Sequence, residues 1–200
     1  MAGEVAVVDA GGANLGSVCG ALRRLGATPR VVRDGRELAG ASRVILPGVG
    51  AAAPAMALLR ARGFLVPMRA LDVPLLGICL GMQLLYEWSD EGDTPCLGLL
   101  PGRVRALRGG PGVRVPHMGW NRLEVVADDP LLDGIAAGEH AYFVHGYAVE
   151  QGVEATAVAC HGDRFAAVVR RGLVAGAQFH PERSAAAGAR LLRNFLAWQP

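Results

Sequence analysis

The chain has 200 residues, of which 52% are hydrophobic, so it can bury a full α/β core without disulfides or structural metal ions. Its formal net charge is only +2, and its 20 basic residues, all of them arginine, are scattered along the chain, which argues against a nucleic-acid-binding surface. Four cysteines without C-x-x-C spacing argue against a zinc or redox centre, and no apolar run approaches the ~20 residues that span a bilayer.

The first half of the chain alternates short apolar runs with helical patterns. The predicted strands are Glu4–Val8, Arg30–Arg33, Arg43–Leu46 (stopped by Pro47-Gly48) and Val73–Ile78. The predicted helices are one that Asn14 or Ser17 caps and that runs to Leu25, then Ala53–Arg62, and then Leu80–Trp88. This alternation predicts a parallel sheet with helices on both faces.

The second half is rich in β segments. Glycine and proline punctuate short segments between Gly98 and Val126, and further strands are predicted at Ala141–Val149, Ala155–Cys160, Arg164–Arg170 and Leu173–Ala177. A last helix begins at Ser184 and places Leu191, Leu192 and Phe195 on one face. Without repeats or linkers, residues 1–200 are expected to form one α/β domain. Its open, mostly parallel sheet is flanked by helices and extended by antiparallel strands.

The segment Gly77–Gly81 (GICLG) lies directly between a predicted strand and a predicted helix. This is the G-x-nucleophile-x-G elbow of α/β enzymes, in which two glycines allow a sharp turn that exposes the middle residue. Cys79 is therefore the candidate nucleophile, and the backbone N–H of Leu80 is a candidate oxyanion donor. For a cysteine chosen at random, a buried core position is the more common outcome. The combination of strand, elbow and helix favours the nucleophile.

A cysteine nucleophile needs a base, and the base needs an orienting acceptor. His180 follows the predicted strand Leu173–Ala177, and Pro181 would turn the chain so that Glu182 reaches back to the imidazole. A Cys-His-Glu triad is thus possible, because triads are defined by geometry and not by chain order. The alternative is a histidine that ends a strand, followed by a solvated glutamate.

The loop Pro47–Gly50 ends a strand of the same predicted sheet. Ligands bind at the carboxyl ends of parallel strands, so this loop and Cys79 are expected to share one crevice, where the loop offers a second oxyanion N–H. Gly11 and Gly12 do not complete a G-x-G-x-x-G pattern, so no dinucleotide site is expected. We expect no metal ion and no cofactor.

The N-terminus lacks a basic region, and acidic residues interrupt its short apolar run. It is therefore not expected to be a signal peptide. A soluble, cytoplasmic protein is predicted.

Taken together, these motifs resemble the class I glutamine amidotransferases. The elbow extended to Gln83 and the stretch Phe179–Glu182 match two signatures of that family in order and spacing. Within the family, three further stretches resemble the glutaminase subunits of imidazole glycerol phosphate synthases: Pro47–Gly50, Pro116–Asn121, and Tyr142–His145 with Tyr147. The resemblance covers essentially the whole chain and implies the family's flavodoxin-like fold.

The resemblance also implies a role for each matching residue. Cys79 would attack the carboxamide of glutamine, His180 would protonate the leaving ammonia, and Glu182 would orient His180. The residues expected to bind the oxyanion or the substrate are Gly48, Val49, Gly50, Leu80, Gln83, Gly146 and Tyr147.

A partner follows from the same resemblance. Ammonia would pass to a separate (β/α)8 cyclase subunit, joined as a heterodimer, which makes imidazole glycerol phosphate and an aminoimidazole carboxamide ribotide. The residues expected around the docking face are Asn14, Met118, Trp120, Asn121 and Arg183. An exposed tryptophan beside methionine and proline is typical of an interface anchor, although a half-buried core tryptophan is the alternative.

Some positions depart from the family pattern. Ala13 replaces a usual glycine, Ala10 and Ala52 replace usual aromatics, and Gly146 stands where serine or threonine is common. The last change removes a hydroxyl from the substrate region, so substrate contacts there would come from the backbone.

Three other functions remain open at this stage. The chain could be a glutaminase for another synthase, such as one that makes pyridoxal phosphate or a purine nucleotide. It could instead be a catalytically silent interaction subunit, or a stand-alone thiol hydrolase that acts on esters or peptides. The Pro116–Asn121 stretch argues against the first function, and the complete Cys79, His180 and Glu182 set argues against the second.

Overall fold

The computed structural model describes residues 4–12, 14–152 and 154–199, so the departure at Ala13 lies outside the described residues. The strands are β1 (Glu4–Val8), β2 (Thr28–Val32), β3 (Arg43–Gly48), β4 (Leu75–Cys79), β5 (Trp88–Ser89), β6 (Thr94–Pro95), β7 (Arg103–Ala106), β8 (His117–Arg122), β9 (Glu124–Val125), β10 (His140–His145), β11 (Tyr147–Ala148), β12 (Ala155–His161), β13 (Asp163–Arg171) and β14 (Val174–Ala177). The α-helices are α1 (Leu15–Arg24), α2 (Ala52–Ala61), α3 (Leu65–Arg69), α4 (Leu80–Gln83) and α5 (Ala185–Ala197). Short 3-10 helices occur at Gly35–Leu38, Pro130–Leu132 and Pro181–Arg183.

The main sheet of the described residues has eight strands in the order β2-β1-β3-β4-β14-β13-β12-β9. From β2 to β14 every neighbouring pair is parallel, and from β14 to β9 every pair is antiparallel. Two small sheets, β10-β8 and β11-β7-β5-β6, flank it. The predicted fold class, a mostly parallel α/β sheet with extra antiparallel strands, is confirmed.

Two apolar clusters cover the two faces of the main sheet. One contains Val18 and Leu22 of α1 together with Leu191 and Phe195 of α5. The other contains apolar side chains of α2, α3 and α4, such as Met56, Leu59, Met68 and Leu80. The parallel strands are therefore buried on both sides, which explains why their sequences are almost continuously apolar.

Strand β4 lies inside the parallel half of the sheet, between β3 and β14. Gly48 is in register with Cys79, and Ala177 is in register with Ile78. The carboxyl ends of three adjacent strands therefore meet at one edge of the sheet, where ligands bind in open α/β folds.

The prediction of a helix from Leu80 to Trp88 was wrong in its length, because α4 ends at Gln83. The carbonyl oxygens of Leu84, Leu85 and Tyr86 accept hydrogen bonds from the backbone N–H groups of residues 97–100. Those acceptors are thus used by a distant segment, and the chain turns into β5 at Trp88.

Smaller differences also have local causes. The predicted run Ala141–Val149 is two strands, β10 and β11, interrupted at Gly146. Strand β3 continues through Pro47 to Gly48 instead of stopping at Leu46. The five-residue helix α3 was not predicted, since it is too short for a periodic pattern to be recognised. None of the helices in the described residues is long and apolar enough to cross a membrane.

Candidate functional site

Cys79 lies at the tip of a strained turn between β4 and α4. Its backbone has φ +53° and ψ −113°, a conformation that side-chain-bearing residues rarely adopt. The turn requires glycine two positions later, because a Cβ on Gly81 would lie 1.7 Å from the carbonyl oxygen of Leu46. Strain of this kind is found where the surrounding structure holds a reactive group in place. The predicted elbow is thus present.

His180 lies just beyond β14, at the start of the Pro181–Arg183 turn. Its backbone N–H donates to the carbonyl oxygen of Tyr142 at 2.9 Å, and the Ser184 hydroxyl donates to the carbonyl oxygen of His180 at 2.7 Å. Ser184 precedes α5 as predicted, but its hydroxyl makes this bond instead of capping the helix. The loop is therefore fixed at both ends of His180.

The imidazole of His180 is held by Glu182. Nδ1 of His180 donates to Oε1 of Glu182 at 2.9 Å, and the Glu182 side chain is fully buried. Nδ2 of Asn14 donates to the same carboxylate oxygen at 2.5 Å. Because Nδ1 is occupied, Nε2 of His180 is the ring nitrogen left to face Cys79.

The surroundings shift the pKa values of His180 and Glu182 in opposite directions. Burial would lower the pKa of His180, but interactions with Cys79 and Glu182 outweigh burial and raise that pKa to about 10. Burial would raise the pKa of Glu182, yet hydrogen bonds from His180 and Asn14 hold it below its ordinary value. At neutral pH the pair is therefore an imidazolium beside a carboxylate, able to deliver a proton toward Cys79.

Besides His180, two further polar groups lie near the sulfur of Cys79. Its thiol lies 3.6 Å from the carbonyl oxygen of Val144, and Nε2 of Gln178 lies 3.8 Å from Sγ. Gln178 is completely buried and was not among the predicted site residues. It directly precedes Phe179-His180 in the recognised motif, and that position is the sequence signal that identifies it.

A cavity of about 270 Å³ opens in front of Cys79. Its lining contains most of the predicted site: Val49, Gly50, Cys79, Leu80, Gln83, Gly146, Tyr147 and His180, together with Glu91, Pro116, Val144 and His145. Gly48 lies on β3 opposite Cys79 and does not line the cavity, and Glu182 lies behind His180. The volume is near the lower end of the range for small-molecule sites.

Gln83 joins two parts of this lining. Its Nε2 donates to the carbonyl oxygen of Tyr147 at 2.8 Å and to Oε1 of Gln178 at 3.0 Å. Since both N–H groups of the amide are used, its oxygen is the free group and can accept a hydrogen bond from a ligand in the cavity.

Glu91 is a carboxylate in the cavity wall that the sequence analysis missed. Its Oε2 accepts a hydrogen bond from the backbone N–H of Ala52 at 2.8 Å, which ties it to the start of α2. Its location depends on the early end of α4, because a helix continued to Trp88 would carry residue 91 elsewhere. A carboxylate thus lines the same cavity as Cys79 and His180.

A cluster of exposed side chains lies on β8 and on the neighbouring loop. Met118 and Trp120 have exposed fractions of 65% and 54%, large values for apolar side chains. The Trp120 ring packs edge-on against Tyr142, and the guanidinium of exposed Arg183 lies 5.8 Å from the centre of the Tyr142 ring. We call Met118, Trp120, Tyr142 and Arg183 the aromatic face.

The other two predicted interface residues use their side chains inside the chain. The Asn14 side chain binds Glu182 and does not cap α1, although Asn14 precedes that helix. The Asn121 amide donates to the carbonyl oxygen of Cys160 at 2.8 Å and approaches Nε2 of His117 at 3.3 Å. The amide N–H groups of both side chains are therefore directed at partners within the chain, and the place of Asn14 and Asn121 at the docking face stays a prediction.

Comparison with known sequences identifies relatives. Residues 6–198 match the family model described as "Glutamine amidotransferase class-I". The chain is 62% identical over 193 residues to "Imidazole glycerol phosphate synthase subunit HisH" of Xylella fastidiosa (strain Temecula1), covering 96% of each protein. It is 61% identical over 193 residues to the protein of the same name from Xanthomonas axonopodis pv. citri, again with 96% of each covered.

Solved structures agree with this result. A structure described as "Crystal structure of glutamine amidotransferase" matches with a TM-score of 0.75 and 28% identity, covering 96% of this chain and 97% of the other. "Structure of PurLQS from Thermotoga maritima" matches with a TM-score of 0.77 over 98% of this chain and 99% of the other. At 22% identity, the second match supports the fold alone.

Proposed function

The chain belongs to the class I glutamine amidotransferases, and from that premise we propose that it is the glutaminase subunit of an imidazole glycerol phosphate synthase in histidine biosynthesis. The observation that carries the proposal is the cavity in front of Cys79, which His180 also lines and behind which Glu182 binds His180. The proposal is also supported by the 62% identity to the imidazole glycerol phosphate synthase subunit HisH of Xylella fastidiosa, which covers 96% of both chains.

In the first half of the reaction, glutamine is converted into a thioester. Cys79 Sγ attacks the carboxamide carbon, and the oxyanion that forms is met by backbone N–H groups of Leu80 and of the Gly48–Gly50 loop. His180, charged through its contacts with Cys79 and Glu182, gives its proton to the departing ammonia. The C–N bond breaks as the C–S bond replaces it.

In the second half, water hydrolyses the thioester. Neutral His180 accepts a proton from the water, the oxygen bonds to the carbonyl carbon, and the released thiolate and the imidazolium return to their starting state. The balance is glutamine plus water giving glutamate plus ammonia. Glu182 keeps Nε2 of His180 aimed at the reacting atoms throughout, because it binds Nδ1.

The amino-acid part of glutamine is assigned to the part of the cavity wall that contains Glu91. The α-amino group of the substrate is positively charged, and Glu91 places a carboxylate there. The free oxygen of the Gln83 amide and the backbone of Gly146-Tyr147 supply further hydrogen bonds. A carboxylate facing an ammonium gives a stronger, charge-assisted bond than two neutral groups would.

The ammonia is used by a partner, the cyclase subunit of the synthase, and the two chains form a heterodimer. We assign the aromatic face to this contact, because Met118 and Trp120 are large apolar groups left exposed in the chain alone. Aromatic and arginine side chains at the centre of an apolar patch are typical interface anchors.

Two smaller assignments complete the proposal. Residues 1–200 act as one glutamine amidotransferase domain, supported by a main sheet that draws strands from both ends of the chain. The protein works in the cytoplasm, where the reducing environment keeps the Cys79 thiol in the form that the reaction needs.

Replacement of Cys79 tests the reaction. Cys79→Ala is expected to abolish glutamate release from glutamine while the circular dichroism spectrum stays that of the wild type. The matched control is Cys160→Ala, since Cys160 is an exposed cysteine outside the cavity, and it should keep full activity. An active Cys79→Ala variant would refute the proposed mechanism.

The partner is tested by mixing the chain with a cyclase subunit. Glutamate release is expected to be slow for the isolated chain and to accelerate when the cyclase and its nucleotide substrate are present. Turnover of esters or peptides at the same rate as glutamine would instead indicate a stand-alone thiol hydrolase. Binding should be weakened by Trp120→Ala about 30-fold or more, the effect of losing an interface anchor.

A further inference from the structure

Two buried histidines connect β8 to the wall of the substrate cavity. Nδ1 of His145 lies 2.8 Å from the carbonyl oxygen of Tyr147, and Nε2 of His145 lies 3.0 Å from Nδ1 of His117. The other nitrogen of His117 lies 3.3 Å from Nδ2 of Asn121. The exposed fractions of His117 and His145 are 4% and 5%, so both rings are shielded from bulk solvent.

These contacts form a series of hydrogen bonds that runs from Asn121 through His117 and His145 to the carbonyl oxygen of Tyr147. The Tyr147 carbonyl, as the last acceptor, determines the position of each proton in the series. A carbonyl oxygen only accepts, so Nδ1 of His145 carries a proton. Burial lowers the pKa of His145 to about 3, so the ring is neutral and its Nε2 is an acceptor. His117 must then donate from Nδ1. Burial lowers its pKa to about 4, so its Nε2 accepts from Asn121.

Asn121, His117 and His145 thus each donate in the direction of the Tyr147 carbonyl. A second set of hydrogen bonds, from residues beside Cys79, ends at the same carbonyl. The same oxygen accepts the bond from Gln83, whose other N–H binds Gln178 next to Cys79. The Tyr147 carbonyl is therefore the shared acceptor that sets the direction of the Gln83 amide. If it rotated away, the Gln83 amide would lose the partner that keeps its oxygen facing the cavity.

We propose that His117 and His145 are positioning residues for glutamine binding, which hold the Tyr147 carbonyl and, through it, the Gln83 amide in the orientation that receives the substrate. The proposal rests on the proposed glutaminase function, because it assigns these residues to the amino-acid end of the same site. His117 does not line the cavity and touches no substrate, so its effect is transmitted through His145.

The experiment uses the full isolated chain and two electrophiles that alkylate Cys79. Diazo-oxo-norleucine is a glutamine analogue and reports on the substrate pocket, whereas iodoacetamide reports on the thiol alone. In His117→Phe the ring stacking against Phe143 can persist, but the hydrogen-bond donor to His145 is lost. We expect the inhibition constant for diazo-oxo-norleucine to rise about tenfold, as for an unpaired buried acceptor, with little change toward iodoacetamide.

Two further variants separate positioning from packing. His117→Asn keeps an N–H near the place of the imidazole Nδ1, so it should restore most of the affinity. His161→Phe is the matched control, because His161 stacks on His117 at 4.2 Å but donates to the carbonyl oxygen of Arg114, outside the series. It should behave as the wild type. If His117→Phe does not fold, Asn121→Ala replaces it, because this variant keeps the rings of His117 and His145. Its inhibition constant for diazo-oxo-norleucine is expected to rise about threefold.

The outcomes are distinct. Wild-type affinity in His117→Phe, an equal loss in His161→Phe, or equal slowing toward both electrophiles would overturn the positioning role. If the wild-type chain reacts with iodoacetamide but not with diazo-oxo-norleucine, even after the cyclase subunit and its nucleotide substrate are added, the proposed function itself fails, and this inference fails with it.

Discussion

Nδ2 of Asn14 lies 2.5 Å from Oε1 of Glu182, the oxygen that also accepts the bond from His180. The second carboxylate oxygen, Oε2, is buried and has no hydrogen-bond partner among the described residues. One oxygen of Glu182 therefore binds both neighbours, and Asn14, at the start of the first helix, fixes a carboxylate near the other end of the chain.

Loss of the Asn14 amide should slow the reaction without weakening substrate binding. Asn14→Ala removes one of two hydrogen bonds to Glu182, and we expect kcat to fall about tenfold while KM for glutamine stays unchanged, in line with one charge-assisted bond. Ser17→Ala changes an exposed residue in the same helix and should leave kcat at the wild-type value. Steady-state glutamate release checks both, and a KM effect alone would contradict the prediction.

Removal of the Glu91 charge should change mainly the KM for glutamine, in contrast to Asn14→Ala, which should change kcat. Glu91→Gln keeps an oxygen that can accept the bond from the Ala52 N–H but removes the negative charge from the cavity. KM for glutamine is expected to rise about 10-fold or more, the cost of losing a charge-assisted contact with the α-amino group, with a smaller change in kcat. Glu87→Gln, an exposed neighbour that does not line the cavity, is the control. An unchanged KM in Glu91→Gln would place the amino group elsewhere.

Two glycines near the site should respond very differently to an added side chain. At Gly81 a Cβ would collide with the Leu46 carbonyl oxygen, whereas at Gly146 the nearest atom, on Val115, is 3.9 Å away. Gly81→Ala is expected to lower the free energy of unfolding by about 3 kcal/mol or more and to abolish activity. Gly146→Ser should fold normally and retain glutaminase activity, since its Cβ fits. Urea denaturation and glutamate release distinguish the two cases.

The buried histidines should make stability depend on pH. Burial lowers the pKa of His117 to about 4 and that of His145 to about 3. Between pH 4 and 6.5 the unfolded chain therefore binds more protons than the folded chain. These two histidines therefore lower the free energy of unfolding as the pH falls through that window, and their destabilising contribution vanishes above about pH 6.5.

The variant His117→Phe removes one of these two titrating groups. Its stability curve between pH 4.5 and 6 should be shallower than that of the wild type by about 1.4 kcal/mol per pH unit, the slope for one proton. Urea titrations at several pH values measure it. Parallel curves for the two proteins would show that His117 is not neutral in the folded state.

The features that could be predicted from the sequence are those whose geometry is local. The elbow at Gly77–Gly81 and the turn from His180 to Glu182 each lie within five residues, so a short pattern specifies the backbone and the side chains together. The alternation of apolar runs with helices likewise predicted a parallel sheet, because strands buried on both faces are apolar throughout.

The features that were missed depend on contacts between distant segments. Glu91 reaches the cavity only because residues 97–100 bind the carbonyl groups that would have continued α4. Asn14 and Asn121 were recognised as residue types, but the direction of each side chain is decided by a partner far away, Glu182 in one case and Cys160 in the other. A sequence pattern cannot supply those partners without the fold.

The place of β14 in the main sheet has a consequence for how the protein is made. Residues 174–177 insert between β4 and β13, so the strand beside Cys79 leaves the ribosome about a hundred residues after the nucleophile. Until then β4 has an open edge, and Cys79 lacks the imidazole of His180, which follows β14 in the chain. A nascent or prematurely terminated chain therefore cannot hydrolyse glutamine. Its incomplete sheet exposes an unpaired strand edge, which is a binding site for a chaperone.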